Sequence, residues 1–173
     1  MEPEQSRVKG LESEVDTRKH CALVARYIML VCHELMERAL NHDASKLESP
    51  QREAFANVSV KLAGLTYGSP EYQASLNELG PALADHYDKE RHHPQHFPGG
   101  ISDMNLIDVV EMLCDWWASS KRHTDGSIEQ SIAVGQKRFG ISDQLAQILY
   151  NTVESLNEKK INLAAERLPR IPE

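Results

Sequence analysis

The chain has 173 residues, a formal net charge of −7 and a sequence pI near 5.6, which suits one acidic domain large enough to bury a core. This acidity, without any cluster of Lys or Arg, excludes the basic surface that binding to a nucleic-acid duplex requires. No apolar run approaches the roughly 18 residues of a membrane span and the N-terminus is polar, so we expect a soluble, cytoplasmic protein that does not contact a membrane.

Apolar residues recur at helical spacing almost everywhere, and no stretch alternates in the manner of a strand, so we predict an all-α fold. Residues 1–12 are polar and are expected to be flexible, residues 13–168 to form a single helical domain, and residues 169–173 to form a tail with two prolines. A first helix is expected to begin near Val15 and to run into the thirties. A second should begin at Ser49-Pro50 and run to about Leu65. A third should begin at Glu71 and run toward Lys89, with an interruption at Gly80-Pro81.

The segment His92–Gly100 contains two prolines and a Gly pair, which indicates a loop held between helices. The sequence Gly-Ile-Ser-Asp follows at 100–103 and recurs at 140–143, and each copy is expected to cap a helix. The first of these helices should reach about Ser120 and the second should end near Arg167.

The three cysteines are widely spaced and lie in apolar helical contexts. We therefore expect Cys21, Cys32 and Cys114 to be buried as small apolar side chains that form no disulfide.

The predicted helix across residues 106–117 is apolar all round apart from Asp108, Glu111 and Asp115, which indicates a largely buried helix. At about 100° per residue the three carboxylates form one acidic stripe, and carboxylates inside a core require cations. Arg or Lys from a neighbouring helix could supply the positive charge, or the stripe could lie on a solvated edge. A metal ion bound at least by Asp115 is the alternative that we favour.

The first helix carries two histidines on different sides. His20 lies with an apolar stripe and should face the core, whereas His33 lies on the polar side. If residues 20–42 formed one unbroken helix, His20 and His42 would be about 33 Å apart and could not share a metal ion. The helix should therefore end or fold back within residues 33–41, where Asn41 is the only weak stop signal.

Two further groups of residues have ligand chemistry. His42-Asp43, with Lys46 three residues later, can place an imidazole and a carboxylate on one divalent ion. His86 and His93 are seven residues apart and would share a helix face, and His92 lies beside them. A polar helix end with a surface loop explains these histidines equally well.

The order of these histidines and aspartates resembles the HD-domain superfamily of metal-dependent phosphohydrolases, and Lys46 matches the common His-Asp-x-x-Lys form. The chain is more closely similar to a small phage and bacterial family of unknown function, with His-Asp-x-Ser-Lys at 42–46, Arg-His-His with an aromatic residue at 91–97 and Glu-Met-x-x-Asp-Trp at 111–116. The resemblance covers about residues 17–122 and implies a helical bundle of about five to seven helices.

The resemblance also implies a metal-dependent hydrolase that cleaves a small phosphate ester, with a nucleotide as the favoured substrate. One or two divalent ions (Mn, Co, Ni, Mg, Fe or Zn) would lower the pKa of a bound water from about 15.7 toward 7. The implied metal ligands are His20, His42, Asp43, His86, His92, His93 and Asp115. The implied catalytic residues are Lys46, which would neutralise phosphate charge, and Asp43, Asp108 and Glu111, which would act as a base or orient a ligand.

Two other functions fit the same residues. A di-iron oxygenase would use the histidines and carboxylates to activate O₂, and a non-catalytic helical module would hold a structural metal with a closed coordination shell. A homodimer is a further alternative, and we expect the exposure of Trp116, Trp117 and Ile128 to decide between monomer and dimer.

Overall fold

In the computed structural model, residues 2–62, 65, 69–122 and 126–158 are described, and within these ranges the chain forms seven α-helices and no strand. The prediction of an all-α fold with five to seven helices is confirmed. The helices are α1 (Glu2–Asn41), α2 (Gln51–Leu62), α3 (Pro70–Glu78), α4 (Gly80–Lys89), α5 (Leu106–Ser120), α6 (Ile128–Phe139) and α7 (Asp143–Glu158). Short 3₁₀ helices cover Ala44–Leu47, Pro94–His96 and Gly100–Asp103.

The chain divides into two compact units, Met1–His42 and Asp43–Glu173. The first unit is essentially α1, which begins well before Val15 and includes residues 2–12, the segment expected to be flexible. Ion pairs one turn apart support it, such as Arg18 with Glu14 at 2.6 Å. The helix ends at Asn41, the weak stop signal in the sequence, but it does not fold back before that residue.

The unbroken course of α1 corrects three expectations about its side chains. His20 was expected to face a core, and Cys21 and Cys32 were expected to be buried, but all three side chains are exposed. The burial of these side chains was predicted from the apolar stripe along the helix. Such a stripe shows which side of the helix can be covered, but it does not show that another element covers it.

The first part of the second unit consists of α2, α3 and α4 with the 3₁₀ helix Ala44–Leu47. The predicted interruption at Gly80-Pro81 is confirmed, because α3 ends at Glu78 and α4 begins at Gly80, whose φ of 39° is accessible to glycine. The helix predicted from Ser49-Pro50 to about Leu65 is described to Leu62, and residues 63 and 64 lie outside the described residues.

The helix α5 begins later than the Gly-Ile-Ser-Asp pattern predicted. Gly100–Asp103 is a separate 3₁₀ helix, and Asn105 is the N-cap of α5. The Asn105 side chain accepts hydrogen bonds from the backbone N–H groups of Ile107 and Asp108, while Asp108 accepts one from the backbone of Asn105. This reciprocal arrangement is a capping box.

The main apolar core of the second unit lies among α5, α6 and α7. Its buried members are Val109, Met112, Leu113, Ile128, Ile132, Ile141, Ala146, Leu149 and Val153. Trp116 is half-buried against this core and stacks on Phe139, with ring centroids 6.1 Å apart. Trp117 is also half-buried and Ile128 is buried, so these three residues do not present a large exposed apolar surface.

Cys114 on α5 is exposed, which corrects the expectation that it would be buried. The last helix was expected to end near Arg167 and to be followed by a tail at 169–173, and both lie outside the described residues. Within the described residues, α7 extends to Glu158. In the described parts of the chain, no helix combines the length and the apolar character needed to span a membrane.

Candidate metal centre

The candidate centre is formed by four residues of the second unit: Asp43, His86, His92 and His93. Asp43 lies directly before the 3₁₀ helix Ala44–Leu47 and has left-handed backbone geometry, with φ 57°, which Asp tolerates better than most residues. His86 lies on α4, and His92 and His93 lie in the turn between α4 and the 3₁₀ helix Pro94–His96. The loop predicted from Pro and Gly content therefore carries two of the four side chains.

The four side chains bring their ligand atoms together, with all of these atoms within 4.8 Å of one another. His86 Nε2 lies 2.8 Å from His93 Nε2 and 3.4 Å from Asp43 Oδ1. His92 Nε2 lies 3.6 Å from the same Asp43 oxygen. Two ligand atoms that each lie about 2.1 Å from one ion are at most about 4.2 Å apart, so these three separations fit a shared ion.

The opposite nitrogens of two of these imidazoles contact polar side chains. His86 Nδ1 lies 3.1 Å from Ser45 Oγ, and His92 Nδ1 lies 3.3 Å from Glu111 Oε1. A polar partner on the second nitrogen fixes the tautomer and the ring orientation of a metal-binding histidine. Glu111 was predicted to act as a base or to orient a ligand, and these roles stay predictions, whereas no role was predicted for Ser45.

Two of the three histidines, His86 and His93, are held in their neutral form. Burial, followed by the positive charge of Lys46, lowers the pKa of His86 from 6.5 to about 4, against an opposing effect of Asp43. Burial, followed by the charge of His92, lowers the pKa of His93 to about 2. Metal ions bind the neutral imidazole, so at neutral pH no proton has to leave these two rings before a metal can bind.

Lys46 is the cation beside the cluster. Its Nζ donates to Asp43 Oδ2 at 2.6 Å and lies 5.2 Å from the centre of the Phe55 ring. The Lys46 side chain is 31% exposed, so it remains accessible to an anion from solvent. The predicted motif thus places a carboxylate and a cation together within one 3₁₀ turn.

The three carboxylates of the predicted acidic stripe have different surroundings. Asp108 is fully buried, and its two oxygens accept hydrogen bonds from Arg91 Nε and Nη2, both at 3.0 Å. It therefore caps α5 and pairs with Arg, as in the structural alternative, and it does not belong to the metal cluster. Asp115 is half-buried, and its charge partly opposes the effect of burial, which lowers the pKa values of His86 and His93.

The remaining predicted ligands lie outside the four-residue cluster. His20 precedes His42 by 22 positions on a continuous helix, about 33 Å along its axis, so these two residues of one chain do not share an ion. His42 is half-buried and is the last residue of the first unit. His96, three residues after His93, instead has its Nδ1 3.2 Å from the backbone oxygen of Tyr87.

The donor set itself fits a divalent metal. Three imidazole nitrogens and one carboxylate oxygen suit Zn, Fe, Mn, Co or Ni, and provide too few oxygen ligands for a dedicated Ca or Mg site. The sequence predicted all four residues as ligands, and it divided them between a first metal site and a second one. The structure brings Asp43 to the histidines in one cluster.

Comparison with known proteins places the chain in a family without an assigned activity. Residues 10–155 match the model of a family of unknown function, DUF5662, and the chain belongs to that family. No curated protein and no solved structure matches the chain. The resemblance to the HD-domain superfamily is tested by none of these comparisons and stays a prediction.

Proposed function

We propose that this protein is a metal-dependent phosphohydrolase that acts on a small phosphate ester, with a nucleotide as the preferred class of substrate. The observation that carries the proposal is the convergence of Asp43, His86, His92 and His93 on one point, all within a 4.8 Å limit. The preference for a phosphate ester rests on the resemblance of the His-Asp-x-Ser-Lys motif to HD-domain phosphohydrolases.

The four residues of the cluster would hold the ion. A divalent metal supplies Lewis-acid polarisation of a phosphoryl oxygen and a water with a lowered pKa. Ser45 and Glu111 orient His86 and His92 through the nitrogens that face away from the cluster. These contacts reduce the rotation of the rings and keep the donor atoms directed at one place.

Lys46 gives the site its affinity for an anion. A phosphate ester carries negative charge, and the protein as a whole carries −7, so binding requires local positive charge. Lys46 lies beside Asp43 and is partly exposed, and the metal would add further positive charge. Aromatic contact with Phe55 restricts the position of the ammonium group.

The number of ligands also favours a second function, a non-catalytic module with a structural metal. Four protein ligands complete the tetrahedral shell of a structural zinc site, whereas a catalytic site usually has three and leaves one position open. The two functions differ in one measurable respect. The hydrolase turns over a phosphate ester and loses this turnover when Lys46 is changed, although the metal remains bound. The structural module has no turnover.

The test begins with metal content, measured by elemental analysis of protein purified without chelator. Wild-type protein should contain close to one equivalent or more of a divalent metal, and His86→Ala and His92→Ala should lose it. His33→Ala, an exposed histidine on α1, is the matched control and should retain the metal. Metal-free wild-type protein, even after reconstitution with each ion, would overturn both functions.

Activity is the second stage of the test. Metal-loaded protein should release phosphate from nucleotides in a screen with Mn, Co and Ni, and Lys46→Gln should reduce turnover while the metal content is unchanged. A loaded protein that hydrolyses no phosphate ester would support the structural module. A coloured protein that consumes O₂ would support an oxygenase.

A further inference from the structure

The helix α1 carries a long apolar surface between residues 21 and 40, which we call the α1 band. Nine large apolar side chains of this segment are exposed: Leu23, Val24, Tyr27, Ile28, Met29, Leu30, Val31, Met36 and Leu40. Ile28 is 58% exposed, Met29 69% and Leu40 79%. A helix that is apolar around most of its circumference is normally covered by other protein, and such large exposed patches mark interaction sites.

The charged and imidazole side chains of the same segment lie within an arc of about 140° of the circumference, from His33 to Arg38. At about 100° per residue, Arg26, His33 and Glu37 lie together, roughly opposite Ile28. Leu23, Tyr27 and Leu30 lie within the polar arc, and the other exposed apolar residues lie on the remainder of the circumference. The α1 band is therefore wide, and the helix has a defined side that can face water.

Spacing within the band favours another helix as its cover. Cys21, Val24, Ile28, Val31 and Leu35 are separated by three, four, three and four residues, which is the repeat that produces a straight seam between two long helices. The seam extends from Cys21 to Leu35 and is thus about 21 Å long. The full helix has 40 residues, a length that is unusual for a helix that packs only within one domain.

The charge pattern favours a second copy of this chain over a charged partner. No charged side chain occurs among the seam residues, so two identical surfaces can face each other without repulsion. At the edge of the band, Arg38 Nε is 3.2 Å from Glu34 Oε1 of the same helix, so both charges are already compensated within each copy. A basic or acidic partner would have nothing to recognise on this side.

We propose that two copies of this chain associate through the α1 bands, with the seam residues of one helix packed against those of the other. The band contains none of the four residues of the candidate metal centre, so the proposal stands independently of the proposed function. The dimer would bury the exposed seam thiol Cys21 and place the polar side of each α1 toward solvent.

The test is the molar mass in solution, measured by size-exclusion chromatography with light scattering on the full chain. One chain has a mass of 19.5 kDa, so the expected dimer has twice that mass, about 39 kDa. Val24→Glu and Ile28→Glu place charge in the middle of the seam and should shift the mass to that of one chain. His33→Glu introduces the same charge on the opposite side and should leave the dimer intact.

Folding of the variants is checked by far-UV circular dichroism, which should show helical content close to that of the wild type. A wild-type protein that elutes at the mass of one chain over the whole concentration range would overturn the proposal. A dimer that persists in both Val24→Glu and Ile28→Glu, or that His33→Glu dissociates equally, would also overturn it, because another surface would then hold the copies together.

Discussion

His92 Nδ1 lies 3.3 Å from Glu111 Oε1, while the other nitrogen of the same ring faces Asp43 at 3.6 Å. Both side chains of the Glu111–His92 pair are buried, with His92 only 1% exposed. A carboxylate behind a histidine is the usual means by which a protein fixes the tautomer of a metal ligand and raises its basicity. The helix α5 therefore contributes to the candidate centre although none of the four clustered ligands lies on it.

The first prediction concerns this carboxylate. Glu111→Gln keeps the size of the side chain and removes its charge, so the affinity of the site for a divalent metal should fall by about 10- to 100-fold. Isothermal titration of metal-free protein with Zn²⁺ measures the change. Glu129→Gln on α6 removes an exposed carboxylate and serves as the control, and an affinity lowered equally by both variants would contradict the role of Glu111.

The second prediction concerns Ser45, whose hydroxyl contacts His86 Nδ1. Ser45→Ala removes the only side-chain group described on that nitrogen and frees the ring to change tautomer, so metal affinity should fall by up to about tenfold. Competition with a chromogenic chelator measures the loss. Ser102→Ala, at an exposed serine in the 3₁₀ helix Gly100–Asp103, should have no effect, and an unchanged affinity in Ser45→Ala would refute the orienting contact.

The third prediction separates Asp108 from the metal chemistry. Asp108→Ala removes the partner of Arg91 and half of the α5 capping box, so the free energy of unfolding should fall by about 2–3 kcal/mol. Arg91 is 41% exposed and can be solvated, which limits the cost of losing its partner. Urea denaturation measures the stability. If Asp108 acted as a base or held a ligand instead, Asp108→Asn would abolish metal binding or turnover with little loss of stability.

Much of the helical architecture follows from the sequence alone. The interruption at Gly80-Pro81 follows from proline and glycine chemistry, and the burial of Asp108 and Glu111 follows from the apolar residues around them on α5. The start of α1 does not follow, because a polar segment that contains Pro3 and Gly10 is compatible with both a helix and a flexible segment.

The candidate centre was predictable in its members and not in its grouping. The residue types and the motif resemblance identified Asp43, His86, His92 and His93, since imidazole and carboxylate are metal ligands wherever they converge. Which of them share one point depends on how α4 packs beside the Ala44–Leu47 turn, and this is a tertiary contact that no local pattern encodes. The Ser45 contact escapes prediction for the same reason.

The fourth prediction concerns the packing of α6 against α5. A Cβ added at Gly135 would overlap the Trp116 ring, with Cζ3 at only 2.6 Å. Gly135→Ala should therefore lower the free energy of unfolding by about 1–3 kcal/mol, because the tryptophan must move within a packed core. Gly10→Ala on α1, where no atom lies within 4 Å, is the control and should be neutral or slightly stabilising. Equal stability of both variants would show that the Trp116 contact does not limit the space at Gly135.

The last prediction concerns the pH dependence of the metal-free protein. The pKa values of His86 and His93 are lowered in the folded state from 6.5 to about 4 and about 2, so below pH 6.5 the unfolded chain binds protons that the folded chain excludes. The free energy of unfolding should thus be highest above pH 6.5 and decrease as the pH falls, by up to about 1.4 kcal/mol per pH unit for each imidazole.

Urea denaturation at several pH values between 7 and 5, in the presence of a chelator, measures this slope. The upper part of that range lies above the region where exposed carboxylates take up protons, so the histidines dominate the change there. His93→Gln should reduce the slope by about half, whereas His33→Gln, at an exposed histidine, should leave it unchanged. Stability that is flat between pH 7 and 5 would mean that the folded protein accommodates the protonated rings, and that the cluster is less enclosed than its geometry indicates.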